Sequence, residues 1–320
     1  MNSYKKIKIA VQMDSLSAIN KETDSTLALI KEALKKGFSI FIYKVDDLYL
    51  ENNNLKAFAA KVLKVNLNKE KFLSLEKFSP ISLNNYDFIL IRQDPPFDMQ
   101  YITSTYLLEK LPQSCLVLNN PRSIRDCPEK LFVMDFFNLM PPTLISRHID
   151  SILKFIKSYK KVVIKPLYGN GGSNVFYLNK NDPNLNIIIE NLLSKREHVI
   201  VQKFIKKVKY GDKRILLING EPVGAVNRVP TNNEIRANLH IGGLAKKTKL
   251  TQREKFICNK IKYKIKEKGL FFVGIDIIDG LITEINVTSP TCIREIDFLN
   301  KTNISSIYWE QALKLRNHGP

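Results

Sequence analysis

The chain has 320 residues, 44% of them hydrophobic and 25% charged, with a formal net charge of +19. That length carries two or three domains with buried cores, and no apolar run approaches the roughly 18 residues of a membrane span. The charge comes from 39 lysines against 11 arginines spread along the whole sequence, whereas specific nucleic-acid binders concentrate charge on one face, so only weak attraction to polyanions is expected.

The opening MNSYKKIKIAVQMD places lysines ahead of an apolar stretch, as a signal peptide does. Lys8 interrupts that stretch, Asp14 closes it and no small-residue cleavage site follows. It reads as a first strand around Ile7–Met13, and the protein is expected in the cytoplasm. In STLALIKEALKKGF, Leu27, Ile30 and Leu34 recur at helical spacing and Gly37 supplies the stop. SIFIYKVDDLYL reads as a second strand, and YDFILIRQDPP as a third, ended by prolines that cannot continue a ladder. A helix near Tyr101–Lys110 and the strand CLVLNN complete a β-α-β series. The alternation predicts an α/β, Rossmann-like open parallel sheet with helices on both sides. Ligands of such sheets sit beyond the carboxyl ends of the strands, where MDSLSAIN and RQDPPFD fall.

From SIRDCPEKLF onward helices mix with short β runs, an α+β pattern that puts a boundary near residue 125. Cys115, Cys127, Cys258 and Cys292 form no CxxC pair, and His148, His198, His240 and His318 are scattered. Zinc and a disulfide framework are therefore not expected. Cys292 reads as packing, since nothing nearby in sequence would lower its pKa.

Four stretches suggest chemistry. VVIKPLYGNGGSNVF carries Lys165 and then Gly169, Gly171 and Gly172 between two strands. Glycines let backbone N–H groups approach an anion, so this is either a plain hairpin or one that folds over phosphates. VQKFI is a connecting segment of the kind whose backbone holds adenine. Arg214, flanked by Ile and Leu, is an edge residue or one that reaches a ligand, and the edge is favoured on local sequence. The long polar VNRVPTNNEIRANLHIGGLAKK is a lid or a surface loop without a role, and Arg228 and Arg236 would close with it over a polyanion.

VGIDIIDGLITEINV is the fourth. A hairpin with a two-residue tip would put Asp276 and Glu284 on opposite faces. A three-residue loop, Ile278 to Gly280, puts Asp276, Glu284 and Asn286 on one face, and that register is the expectation. Three hard oxygen ligands suit Mg²⁺, though on their spacing alone Glu284 and Asn286 fit a solvent-facing strand better. Without a cation such a cluster would be destabilised by repulsion between its carboxylates.

In this order the motifs DLYL, DPPFD, SIRDCPEKLF, IKPLYGNGGSNVF, GDKR, GEPV, EKGLFFVGIDII and LITEINVTSPTCIREI resemble the ATP-grasp superfamily and, within it, the prokaryotic glutathione synthetase family, over residues 5 to 312. The resemblance implies a pre-ATP-grasp domain on the substrate side at 1–125, an ATP-grasp lid subdomain at 126–205, and an ATP-grasp core at 206–320 with a mobile loop at about 228–246. It implies that Lys130, Lys165 and the turn Gly169, Gly171, Gly172 and Ser173 contact ATP phosphates. Gln202, Lys203, Phe204 and Ile205 would line adenine, with Asp212 near the nucleotide. Asp276, Glu284 and Asn286 would hold Mg²⁺ or Mn²⁺. Arg214 and Arg228 would stabilise a developing acyl phosphate, and Ser289, Thr291 and Arg236 would face the amino-acid substrate. The reaction implied joins γ-glutamylcysteine to glycine at the expense of ATP, in a homotetramer with no nucleic-acid or membrane partner. A ligase resembling D-alanine–D-alanine ligase, a glutamate-adding ligase, or a non-catalytic nucleotide-binding protein would share much of this set. The chain departs from the family pattern at Gln93, where Lys is common, and in the lid at Asn232, Asn233, Ala237 and Leu244, so lid closure is the less secure part.

Overall fold

The structure, a computed structural model, describes residues 7–169, 171–231, 239 and 242–318. The first strand, helix and second strand are β1 (Lys8–Gln12), α1 (Ser25–Lys35) and β2 (Ser39–Tyr43). The Asp24 carboxylate caps α1, accepting from the Leu27 N–H at 2.6 Å. SIFIYKVDDLYL is not one strand: a 3-10 turn over Val45–Asp47 follows β2, and Leu48–Glu51 form a separate β3. Asn52 and Asn53, at φ 47° and 60°, turn the chain into the long β4 (Asn54–Val65). Two residues at positive φ make a tight hairpin, which can only join antiparallel strands. β5 (Leu73–Leu75) and β6 (Ser79–Ser82) also pair antiparallel with β4.

β7 (Phe88–Ile91), α2 (Met99–Leu108) and β8 (Leu116–Leu118) return to parallel pairing, and the order is β3-β4-β2-β1-β7-β8. The expected parallel set β2-β1-β7-β8 is present, with an antiparallel extension built on β4 that makes the sheet mixed.

Two short helices, α3 (Pro121–Asp126) and α4 (Glu129–Phe132), lead onward. Then come β9 (Thr143–Ser146), α5 (Ile149–Tyr159), β10 (Lys161–Pro166), β11 (Phe176–Asn179), α6 (Leu185–Leu193) and β12 (Val199–Lys203). Their strands form an antiparallel sheet in the order β11-β10-β12-β9. The remainder is β13 (Asp212–Ile218), β14 (Glu221–Val229), β15 (Leu244–Lys247), α7 (Gln252–Glu267), β16 (Phe272–Ile278), β17 (Leu281–Asn286), α8 (Ile293–Asn300) and α9 (Ile304–His318). These strands form a third, antiparallel sheet in the order β15-β14-β13-β16-β17.

Side chains alternate between the faces of a sheet, and the third sheet uses both. One face carries Ile215, Leu217, Ile275 and Ile277, packed with Ile257, Ile261 and Ile265 of α7. The other carries Leu216 and Ile218 at one end, in a core shared with Ile9, Phe88 and Trp309, and charged residues at the other. Those charged residues therefore stand beside the junction with the first sheet. Among the described residues no helix is long and apolar enough to cross a membrane.

Candidate active site

The β16–β17 hairpin differs from the expected register. Ile278 pairs with Leu281, so the turn holds two residues, Asp279 and Gly280, at φ 51° and 71°. A regular ladder from that turn would put Glu284 on the wrong face. Ile277 pairs with Ile282 but Asp276 pairs with Glu284, which leaves Thr283 as an extra, bulged residue. The bulge restores one common face for Asp276, Glu284 and Asn286. Their grouping is as expected, and the backbone route to it is not.

β13 lies in the middle of its sheet, so the edge position favoured for Arg214 is also corrected. Arg214 faces Asp276 across the ladder and binds it bidentately, Nε to Oδ1 at 2.5 Å and Nη2 to Oδ2 at 2.9 Å. Arg228 faces Asp212 from β14, its Nη2 lying 2.7 Å from Asp212 Oδ2 and 2.9 Å from Asp276 Oδ1. All four groups are buried. Burial pushes the Asp276 carboxyl up, but Arg214 and Arg228 outweigh it and hold the group well below the usual carboxylate range. Among the described residues Asp212 contacts one arginine, Arg228; burial, reinforced by the Asp276 charge, pushes it up to about 6.

Lys130 on α4 lies 3.1 Å from Glu284 Oε1 and donates to the Gly169 carbonyl. Burial would raise the Glu284 carboxyl, yet Lys130 and Lys165 hold it low, and burial lowers Lys165. The expectation that this cluster needs an added cation is therefore wrong: Lys130, Lys165, Arg214 and Arg228 offset the carboxylates from within the chain.

The same donors still fit a hard divalent cation. Asp276 shares its oxygens with the two arginines and, through Oδ2, with the Asn286 amide nitrogen at 3.3 Å. Glu284 pairs with Lys130, and the Asn286 amide oxygen is a neutral hard donor beside it. Among the described residues no three His, Cys, Asp or Glu side chains are arranged to hold a metal. Such a set suits an ion that completes its shell with phosphate oxygens and water.

A cavity of about 720 Å³ opens over this face. The β10–β11 hairpin contributes Lys165, Gly169, Gly171, Gly172 and Ser173, and the end of β12 contributes Gln202, Lys203, Phe204 and Ile205. Lys130, Asp212, Arg214, Arg228, Asp276, Glu284, Asn286, Ser289 and Thr291 line it too. The Gln202 side chain donates to Thr143 Oγ1 at 3.2 Å, which leaves its segment to present backbone to the cavity. Arg236, Asn232, Asn233 and Ala237 lie outside the described residues; Leu244 is exposed on β15.

Sequence reasoning missed Glu129. Its Oε1 accepts from the Val287 N–H at 3.0 Å, the Thr288 N–H at 3.1 Å and Thr288 Oγ1 at 2.8 Å. Arg92 pins the other side of that loop, Nη2 to the Pro290 carbonyl at 2.9 Å, while Ser289 Oγ donates to the Arg92 carbonyl at 3.2 Å. The loop bearing Ser289 and Thr291 is thus held from both flanks. Cys292 follows at φ 84°, buried in the shared core, and burial pushes its thiol up.

Residues 7–125 match the family described as prokaryotic glutathione synthetase, N-terminal domain, and residues 129–301 match prokaryotic glutathione synthetase, ATP-grasp domain. Glutathione synthetase of Rhodopseudomonas palustris is 47% identical over 305 residues, covering 95% of this chain and 97% of its own length. That of Mesorhizobium japonicum is 45% identical over 307 residues, with 95% and 97% covered. The crystal structure of D-cycloserine synthetase DcsG superposes with a TM-score of 0.68 at 12% identity, covering 97% of this chain and 99% of that one.

Proposed function

The chain belongs to the prokaryotic glutathione synthetase family, and from that premise we propose what each wall of the cavity does. The protein is an ATP-dependent ligase acting on small molecules, of a class that uses ATP with a divalent metal. In our reading the cysteinyl carboxylate of γ-glutamylcysteine attacks the γ-phosphorus of ATP, giving an acyl phosphate and ADP. The amine of glycine then attacks the acyl carbon and phosphate leaves, so that an amide bond forms, the amine gives up a proton and glutathione is released.

Lys130, Lys165 and the Gly169–Ser173 turn bind the phosphates, and the backbone of residues 202–205 takes adenine, with Asp212 beside the nucleotide. Arg214 and Arg228 stabilise charge that builds on the transferring phosphoryl group and on the acyl phosphate. Their carboxylate partners hold both guanidinium groups in place before substrate arrives, so little reorganisation remains for the reaction itself. Asp276, Glu284 and Asn286 would hold a divalent cation, Mg²⁺ first and Mn²⁺ by the same oxygen donors, which offsets phosphate charge. Ser289 and Thr291 face the peptide substrate, and Arg236 would join them from the lid. Residues 1–125 serve the substrate, 126–205 cover the nucleotide and 206–320 supply the catalytic floor.

The observation that carries these roles is the convergence of four cationic side chains and three oxygen ligands around one cavity. ADP release from Mg-ATP with γ-glutamylcysteine, with and without glycine, tests them. Release that requires both substrates and yields glutathione supports the reading. Release without glycine would mean that the acyl phosphate forms and leaks to water. No release in either case overturns it. We place the enzyme in the cytoplasm, where its four buried free cysteines stay reduced, and light scattering tests a four-copy assembly.

A further inference from the structure

Asp276 takes Nε and Nη2 of Arg214, and among the described residues Nη1 has no hydrogen-bond partner. Arg214 is 6% exposed and lines the cavity. A charged donor this well buried needs an acceptor, so Nη1 is the nitrogen left for a ligand. Its position depends on a neighbour without a side chain. Gly274 of β16 pairs with Leu216 of β13 on one side and with Asn286 of β17 on the other. Two residues before Asp276, it shares the face that Asp276 and Asn286 occupy.

The Arg214 side chain runs across that gap. A Cβ at position 274 would stand 3.1 Å from Arg214 Cδ, 3.2 Å from Nη1 and 3.4 Å from Nε, inside the about 3.5–4.0 Å of ordinary carbon contact. The Asn286 amide closes the far side, donating to the Gly274 carbonyl at 3.2 Å and to Asp276 Oδ2 at 3.3 Å. Backbone conformation gives no reason for a glycine here. Gly274 is not among the glycines at positive φ, and inside a regular strand glycine is less stable than alanine. The remaining reason is clearance.

We infer that Gly274 is a positioning residue for phosphoryl transfer: its empty Cβ site lets Arg214 lie flat on the sheet and sets Nη1 against the phosphoryl group that ATP gives up. The assignment rests on the ligase reading. Asp276 fixes the guanidinium from one edge, and Gly274 fixes the height of the stem. A methyl group at 274 would lift the stem and tilt Nη1 while leaving every charge of the site in place, and a small misplacement of a catalytic donor is felt in the rate.

Gly274→Ala should lower kcat for ADP release with both substrates present by about 10- to 100-fold, the contribution of one hydrogen bond to a charged group, with the KM for ATP unchanged. Arg214→Lys keeps the charge and loses Nη1, so in that background Gly274→Ala should add less than about 2-fold, whereas a merely structural defect would add in full. Calorimetry of the full chain with ADP, Mg²⁺ and orthovanadate, a mimic of the phosphoryl group in transfer, reads the same cycle without turnover. There Gly274→Ala should weaken vanadate by about 10-fold and leave the affinity for ADP alone unchanged. A kcat within about 2-fold of wild type, an equal loss in both backgrounds, or equal vanadate affinity in wild type and Gly274→Ala overturns the assignment. Absence of ligation by the wild type with the vanadate pattern intact would count against the ligase reading alone.

Discussion

At the scale of single residues, the site is a set of ion pairs in which Asp276 is the shared member. Removing one partner of a buried pair leaves uncompensated charge, so Asp276→Ala should lower the unfolding free energy by about 3–5 kcal/mol in urea titrations and abolish turnover. Its folded-state pKa is depressed, so the stability it contributes is present above the ordinary aspartate value of 3.8 and is lost only as the pH falls far below that value. Asp212 has the opposite sign. With a folded-state pKa of about 6 against an ordinary aspartate value of 3.8, the folded chain holds that proton more tightly, and stability falls as the pH rises through this window. Asp212→Asn should therefore flatten stability against pH between about 4 and 6. Asp276 and Arg214 drew notice in the sequence as charged groups among Ile and Leu, whereas Asp212 was implied only by the family resemblance. Their partners were not legible: Arg214 and Asp276 lie 62 residues apart, and Glu129 and Thr288 lie 159 apart.

At the scale of elements, alternation of apolar and polar residues was enough to find the strands that bear the site, and Asp279-Gly280 marked the hairpin. The bulge at Thr283 has no signature in composition, since an extra residue in a ladder is fixed by the partner strand and by what each face must bury. The antiparallel extension on β4 was missed for a related reason, as Asn52 and Asn53 are a weaker turn signal than a pair containing glycine. The join between β8 and the third sheet was equally invisible, because its hydrogen bonds come mainly from one side chain, beside a backbone bond from the Asn120 N–H to the Gly269 carbonyl. Asn119 follows β8; its Nδ2 donates to the carbonyls of Phe272 at 2.8 Å and Val287 at 2.7 Å, and its Oδ1 accepts from the Phe272 N–H at 2.6 Å. Asn119→Ala strips three buried backbone groups of this partner and should destabilise the protein by about 3 kcal/mol, near 1 kcal/mol for each hydrogen bond, as read by the urea midpoint.

At the scale of the whole molecule, the first and third sheets share one core, and α9 seals it. Trp309, the sole tryptophan, packs edge-on against Phe38, Phe88 and Tyr308, and its Nε1 donates to the Leu29 carbonyl at 2.9 Å. Tryptophan fluorescence and far-UV circular dichroism should therefore report coincident unfolding of these two sheets, and Trp309→Ala should cost about 3–5 kcal/mol. The amphipathic patterns foretold the sheets themselves, but the return of the last helix to the first sheet rests on contacts nearly 300 residues apart, which no local pattern encodes. One contact in this frame reaches further than stability. Lys130 joins the glycine hairpin to Glu284, so its ammonium sits on the carboxylate that a divalent cation would need. A nucleotide phosphate that draws Lys130 away frees that carboxylate, and a cation that displaces Lys130 leaves it available to phosphate. Nucleotide and metal should accordingly tighten each other's binding, and by the same factor in either order of addition.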